Sequence, residues 1–155
     1  MTTVRFAGDG FKAFSLKLDR FEGAISDAEP AFRAMAEFQT TVVNARQFKQ
    51  QGTPETGGRW APLSPPYARW KEKRRPGRPI LVFDGDLRDS MTKPNTGIYE
   101  IWDRGFVVGT ALPYATYHQN GTPHMPARPI IGAVRREDVR RFAKILQRYI
   151  IDGTV

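Results

Sequence analysis

Phe14, Leu16 and Leu18 alternate with Ser15 and Lys17. That period of two is the pattern of a half-buried strand, and it predicts one over about residues 11–21. Gly8 and Gly10 before the segment and Gly23 after it punctuate it, with Gly8-Asp9-Gly10 read as a turn. From Ser26 the spacing changes to threes and fours. Ala28, Phe32, Met35, Ala36, Val42, Val43 and Phe48 mark one face of a helix over about 26–50, while Arg33, Glu37 and Arg46 mark the other. Ser26 or Asp27 can cap it, Glu29 completes a capping-box spacing with Ser26, and Pro30 is tolerable in the first turn. Gly52 ends the helix.

Between Gly52 and Pro79 the periodicity fails. Pro54, Gly57, Gly58, Pro62, Pro65, Pro66, Pro76, Gly77 and Pro79 interrupt any long regular element. The segment nevertheless carries Trp60, Leu63, Tyr67 and Trp70, whose large apolar areas need cover. It therefore predicts an arm that folds back on its own domain or docks on another subunit. Pro65-Pro66 can open a short helix. Beyond it, Ile80–Phe83 is a short apolar run, and Asp84 is placed to cap a helical turn over 85–91. Residues 97–103 and 106–110 read as two strands, joined by Asp103-Arg104-Gly105, with Gly105 expected at positive φ. Residues 114–119 form one helical turn before Asn120-Gly121. Residues 127–132 are extended around Pro129. Val139, Phe142, Ala143, Ile145, Leu146, Tyr149 and Ile150 predict a terminal helix over 135–151.

These elements give an α+β fold. A small antiparallel β-sheet is packed by one long helix of the N-terminal half and a C-terminal helix, with a Pro/Gly/Trp-rich loop at about 52–79, in a single domain over 1–155. The 155 residues, 40% hydrophobic with ten Phe, five Tyr and three Trp, suffice for one core. No apolar run reaches membrane-spanning length, so no membrane is expected, and residues 1–5 do not read as a secretory leader.

The net charge of +8 brings polyanions into the picture as partners. The cations gather in two places. Arg69, Lys71, Lys73, Arg74, Arg75 and Arg78 flank Trp70, with only Glu72 opposing. Arg135, Arg136, Arg140, Arg141, Lys144 and Arg148 lie on the terminal helix, mostly as a solvated face. Cations interleaved with aromatics suit single-stranded nucleic acid and equally suit a protein interface. Neither cluster carries a sequence-reading motif, so any DNA contact is expected to be non-specific.

Catalytic chemistry finds little support. No cysteine is present, which removes thiolate ligands and nucleophiles. His118 and His124 lack the close third ligand of a zinc site; His118 reads as a turn histidine bonded to backbone. Ser64 and Ser90 sit in no G-x-S-x-G elbow. Asp84 and Asp86 flank Gly85, where a cap explains Asp84. The Gly8-Asp9-Gly10 turn lacks the Lys of a phosphate loop. The expectation is no catalytic residue, no metal and no cofactor; a small nuclease ranks behind both a structural protein and a DNA-binding protein.

Several stretches, taken in order, resemble the bacteriophage virion-morphogenesis family of tail-completion or minor tail proteins of the neck. They are Gly58–Ser64 with Tyr67 and Lys71; Pro79–Leu81 with Asp84–Ser90; Val108-Gly109; Tyr114-Ala115; His118-Gln119 with Gly121; and Met125–Gly132 before a terminal helix. The similarity spans roughly residues 26–150. Asp84 departs from the small hydroxyl residue more usual before Gly85. The resemblance implies a non-enzymatic α+β subunit of the virion neck or tail, assembled in the host cytoplasm. It implies a homo-oligomeric ring, six-fold among the symmetries open to it, that lets a filled head and a tail join. Other phage neck and tail proteins are its implied partners, with non-specific contact to packaged DNA as a further role. On this reading Trp60, Tyr67 and Trp70 dock into an adjacent subunit, Arg128 pairs with an acidic group there, and Trp60→Ala blocks assembly without unfolding the chain. Burial of Trp60 within its own chain is the competing expectation. His118 and Gln119 are expected to shape the turn at Gly121.

Overall fold

The computed structural model describes residues 9–53 and 58–155, with backbone only for 9–15. Residues 1–5 and Gly8, which bear the leader and turn expectations, lie outside the described residues, as do Pro54 and Gly57. The fold is α+β.

The segment expected as a strand is instead a helix, α1 (Asp9–Ser26). Two periods compete there. The alternation at 14, 16 and 18 lasts five residues, whereas Phe14, Leu18, Phe21 and Ile25 keep helical spacing over twelve, and the longer pattern wins. Asp9 and Gly10 open this helix and form no turn.

The long helix is present in three parts: α2 (Glu29–Phe38), a π-helical turn (Gln39–Asn44) and α3 (Ala45–Gln50). The expected capping box does not form. Ser26 Oγ donates to the Glu22 carbonyl, Glu29 pairs with Arg33, and Asp27 Oδ1 accepts the Glu29 N–H at 3.0 Å. The π turn falls on the β-branched run Thr40–Val43. Thr40 Oγ1 donates back to the Ala36 and Glu37 carbonyls, and Thr41 Oγ1 to Glu37, which loosens the regular ladder. The extra residue rotates the rest of the helix about its axis. Val43 and Asn44 turn inward, while Val42, expected on the apolar face, is left exposed. Asn44 Nδ2 then donates to the Met91 carbonyl at 2.8 Å, tying this turn to α5 (Asp86–Thr92).

Gln51, not Gly52, stops the helix by adopting φ 55°. Gly52 is needed for another reason: a Cβ there would lie 2.2 Å from the Gly58 carbonyl oxygen. That close approach pairs β1 (Gly52–Thr53) with β2 (Gly58–Arg59), antiparallel. Within the breaker-rich stretch, α4 (Pro65–Arg74) is a full helix with proline in its first turn, longer than the short helix expected.

Strands β3 (Ile98–Trp102) and β4 (Gly105–Gly109) pair antiparallel, Ile98 opposite Gly109 through Trp102 opposite Gly105. Gly105 is not at positive φ; it lies under the Trp102 ring, where a Cβ would meet Cζ2 at 2.9 Å. The helical turn expected after 114 is α6 (Ala115–Asn120), and the terminal helix is α7 (Arg136–Asp152).

Two packing centres result. In one, α2 packs against α7 and both hairpin strands through a chain of rings: Phe32 on Phe106, Phe106 on Phe142, and Phe142 edge-on to Phe38. Arg46, placed by its spacing on the face opposite the apolar one, pairs with the buried Asp138 at the start of α7. The other centre gathers Phe48, Trp60, Val82, Leu87, Met91, Ala115 and Ile130, with Ile80, Leu81 and Leu112 against them.

Candidate functional site

Residues 58–63 and 118–132 are distant in sequence but are laced together. Trp60 is 5% exposed, lies edge-on to Phe48 at 5.4 Å, and donates its indole N–H to the Pro129 carbonyl at 2.7 Å. Arg128, 4% exposed, returns the link: Nε donates to the Ala61 carbonyl at 2.7 Å and an Nη to Pro62 at 2.9 Å. Backbone N–H of Arg128 donates to the His118 carbonyl. Gln119 completes the staple. Its Oε1 accepts both the Ile130 and Ile131 N–H at 2.9 Å, and its Nε2 donates to the Ile131 carbonyl at 3.0 Å. Prolines at 62 and 129 keep this backbone out of helices and sheets, so its polar groups need side-chain partners once buried.

On that frame α4 presents a ladder of rings. Tyr67 stacks on Trp70 at 5.4 Å, and Trp70 on Phe83 at 5.5 Å with their planes 14° apart. Arg74 lies over the Trp70 ring and Arg75 over Phe83, each at 4.9 Å. Tyr67 and Trp70 remain 44% and 43% exposed. The helix is held from beneath by Lys71, 5% exposed, whose Nζ donates to the Pro79 carbonyl at 2.5 Å.

A cleft of about 740 Å³ opens beside α4, walled by Leu63, Tyr67, Leu81, Phe83, Leu87, Met125 and Pro126, with Lys71, Asp84, Asp86, Tyr114, His118, His124 and Arg128 also on its lining. Burial lowers the Lys71 ammonium from its usual range, against the opposing pull of Glu72. Burial raises Tyr114, and Asp86 and Asp84 raise it further. Burial lowers His118, and the Arg128 guanidinium beside it pushes the same way, so the ring is neutral at pH 7. His118 Nδ1 is buried without a hydrogen-bond partner, in place of the backbone bond expected of it. Among the described residues no group of three or more His, Asp or Glu is placed to hold a metal ion.

The residues singled out by sequence separate into two sets. Trp60, Lys71 and Arg128 are committed inward: every bond just described for them ends on their own chain. Because Trp60 is core, its truncation is expected to destabilise the chain itself, which replaces the expectation that Trp60→Ala affects assembly alone. Tyr67, Trp70, Arg69, Lys73, Arg74 and Arg78 stay exposed. Arg75 is half-buried and pairs with Asp84, Nε to Oδ1 at 2.7 Å. Asp84 therefore does not cap α5; Gly85, at φ 119°, occupies the cap position with no side-chain bond. Gln119, expected to shape the turn at Gly121, holds residues 130–131 instead. Phe83 as the third ring, Asn44 and Asp138 make contacts that the sequence pattern does not single out. A Phe in an apolar run and an Asp in a helix's first turn carry no local signal of such partners.

No curated protein and no solved structure matches the chain. A family model, described as the phage virion morphogenesis family, matches residues 9–150, which include the whole 58–63/118–132 staple, α4 and the cleft. With nearly the full length matched, the chain belongs to the phage virion morphogenesis family.

Proposed function

We propose that the chain is a structural subunit of the neck or tail of a tailed phage, which completes the tail or joins it to a filled head as a homo-oligomeric ring. The observation that carries this is the α4 face. Tyr67 and Trp70 are more than two-fifths exposed, yet they are stacked on Phe83 and anchored through Lys71, so the surface is rigid before it meets a partner. Preformed aromatic and arginine anchors are what protein interfaces favour. Family membership supports a role in building the virion. We read the chain as non-catalytic because the cleft's strongest cations, Lys71 and Arg128, are engaged with backbone carbonyls and not poised over a reaction space.

The second reading is non-specific DNA contact, which the exposed Arg69, Lys73, Arg74 and Arg78 around the stacked rings favour. A phage with an early nonsense codon in this frame, viewed by electron microscopy, separates the two. Filled heads lying beside unjoined tails are the expected result. Overlong or absent tails move the role to tail termination or tube assembly. Normal infectious particles sink the structural reading and leave salt-sensitive DNA binding as the better account.

A further inference from the structure

Among the described residues the hairpin β3–β4 packs chiefly on α2, with α5 against β4 and Phe142 of α7 on Phe106. Its outer face carries Ile98, Glu100 and Trp102 on one strand, with Val107 opposite Glu100 on the other. Ile98, Trp102 and Val107 are 36%, 42% and 45% exposed. An isolated two-stranded sheet is marginal in water, and one with three large apolar side chains facing solvent gains from a cover. Glu100 stands among them and is in none of the ion pairs formed among the described residues.

We infer that the outer face of this hairpin receives α4 of a second copy of the chain, Ile98, Trp102 and Val107 meeting Tyr67 and Trp70 while Glu100 meets Arg74. The inference rests on the self-assembly reading above and names its two surfaces. Charge selects the occupant. Hairpin against hairpin would bring two Glu100 carboxylates together in a drying interface, and α4 against α4 would oppose two runs of cations. Only the unlike pairing matches apolar with apolar and acid with base. On α4, Tyr67, Trp70 and Arg74 lie three and four residues apart, hence on one stripe. Glu100 likewise lies between Ile98 and Trp102 on the exposed face of β3. Used once per neighbour, two different patches make a head-to-tail contact that closes into a ring or runs on as a filament, whereas reciprocal exchange across a two-fold would stop at a dimer and give no species beyond it.

The absence of cysteine permits a clean test. The full chain would carry Lys73→Cys and Arg104→Cys, both at exposed sites, and would be treated with a short bis-maleimide. It would be treated as concentrated protein and as particles assembled when it complements a phage lacking its own copy. A ladder of dimer, trimer and higher species is expected from the double variant and none from either single variant. Glu100→Lys or Arg74→Glu alone should reduce the ladder roughly tenfold, and the two together should restore it. No ladder in either setting, cross-linking by a single variant, or charge reversals that fail to compensate each overturn the inference. A DNA-facing α4 gives the last pattern, with Arg74→Glu weakening DNA binding and Glu100→Lys silent. Failure here is distinct from failure of the joining role: a ladder in particles that join normally without the chain keeps this inference and removes that role.

Discussion

The α1/α2/α7/hairpin half of the molecule closes over aromatic rings, whereas the 58–63/118–132 half adds to its apolar cluster a set of side chains bonded to backbone carbonyls. In the first, Phe32, Phe38, Phe106 and Phe142 fill the space between regular elements whose backbone groups are already paired. In the second, proline-rich backbone leaves carbonyls free, and Trp60, Lys71, Arg128 and Gln119 each donate to one or more of them. The difference bears on tolerance. A ring-filled interface accepts another apolar side chain of similar volume, because dispersion and burial have little direction. A side chain that donates at a fixed angle to a buried carbonyl has no substitute of similar shape, since the carbonyl it leaves stays dry and unpaired.

The largest consequence falls on Trp60. Trp60→Ala removes the indole from the core against Phe48 and strips the Pro129 carbonyl of its donor, so it should destabilise the chain by about 3–5 kcal/mol. Urea unfolding of the isolated chain measures this. Truncating Phe142, half-buried in the other half, should cost roughly half as much. Equal losses at the two sites would erase the contrast between the halves.

Arginine sharpens it. Arg128 and Arg46 are both anchored within their own chain, but Arg128 forks to two part-buried carbonyls whereas Arg46 answers one buried carboxylate, that of Asp138. Lysine supplies a point charge and no planar fork. Arg128→Lys should therefore lose about 2 kcal/mol in the same unfolding experiment, and Arg46→Lys less, because the lysine keeps a cation on the buried Asp138 carboxylate. The opposite order would mean that charge, not geometry, holds the 58–63 segment.

The two halves also differ in how far their sequence discloses them. Helix α7, the hairpin and the bulk of the 29–50 helix are legible as elements, although Val139, placed by its spacing on the apolar face of α7, is left exposed. The spacing misleads where two periods overlap, as in α1, and where a β-branched run inserts a π turn, as at Val42, while Val43 is buried as its spacing predicts. The site was legible in part. Tyr67 and Trp70 stand out as large aromatics in a breaker-rich stretch and do remain exposed. What Trp60, Lys71 and Arg128 do was not legible, because an aromatic or a cation in a loop reads the same whether it turns outward or back to a carbonyl of its own chain. Gln119 shows the limit most plainly: its three partners are the backbone of residues 130 and 131, which no side-chain pattern announces.

The smallest expected effect lies at the seam of the staple and the cleft, in His118. Its ring is held neutral by burial and by Arg128 beside it, so its folded pKa lies below the unfolded value of about 6.5. Between those two values the unfolded chain binds the proton and the folded chain does not. Stability therefore rises with pH across that window, and it falls as the pH drops below about 6.5 until the folded ring also protonates. Asp89 runs in a lower window. Its hydrogen bond from Lys93 is the largest of the influences that hold its carboxyl below the usual range, so its contribution is kept above the ordinary Asp value and lost only in stronger acid. Thermal unfolding of the wild type and of His118→Gln between about pH 7 and 5 isolates the histidine. The variant should flatten the slope in that interval while leaving the acid limb unchanged. An identical slope in both proteins would show that the His118 ring takes up its proton as readily folded as unfolded, and the wall of the cleft it lines would then be wetter than its packing against Arg128 implies.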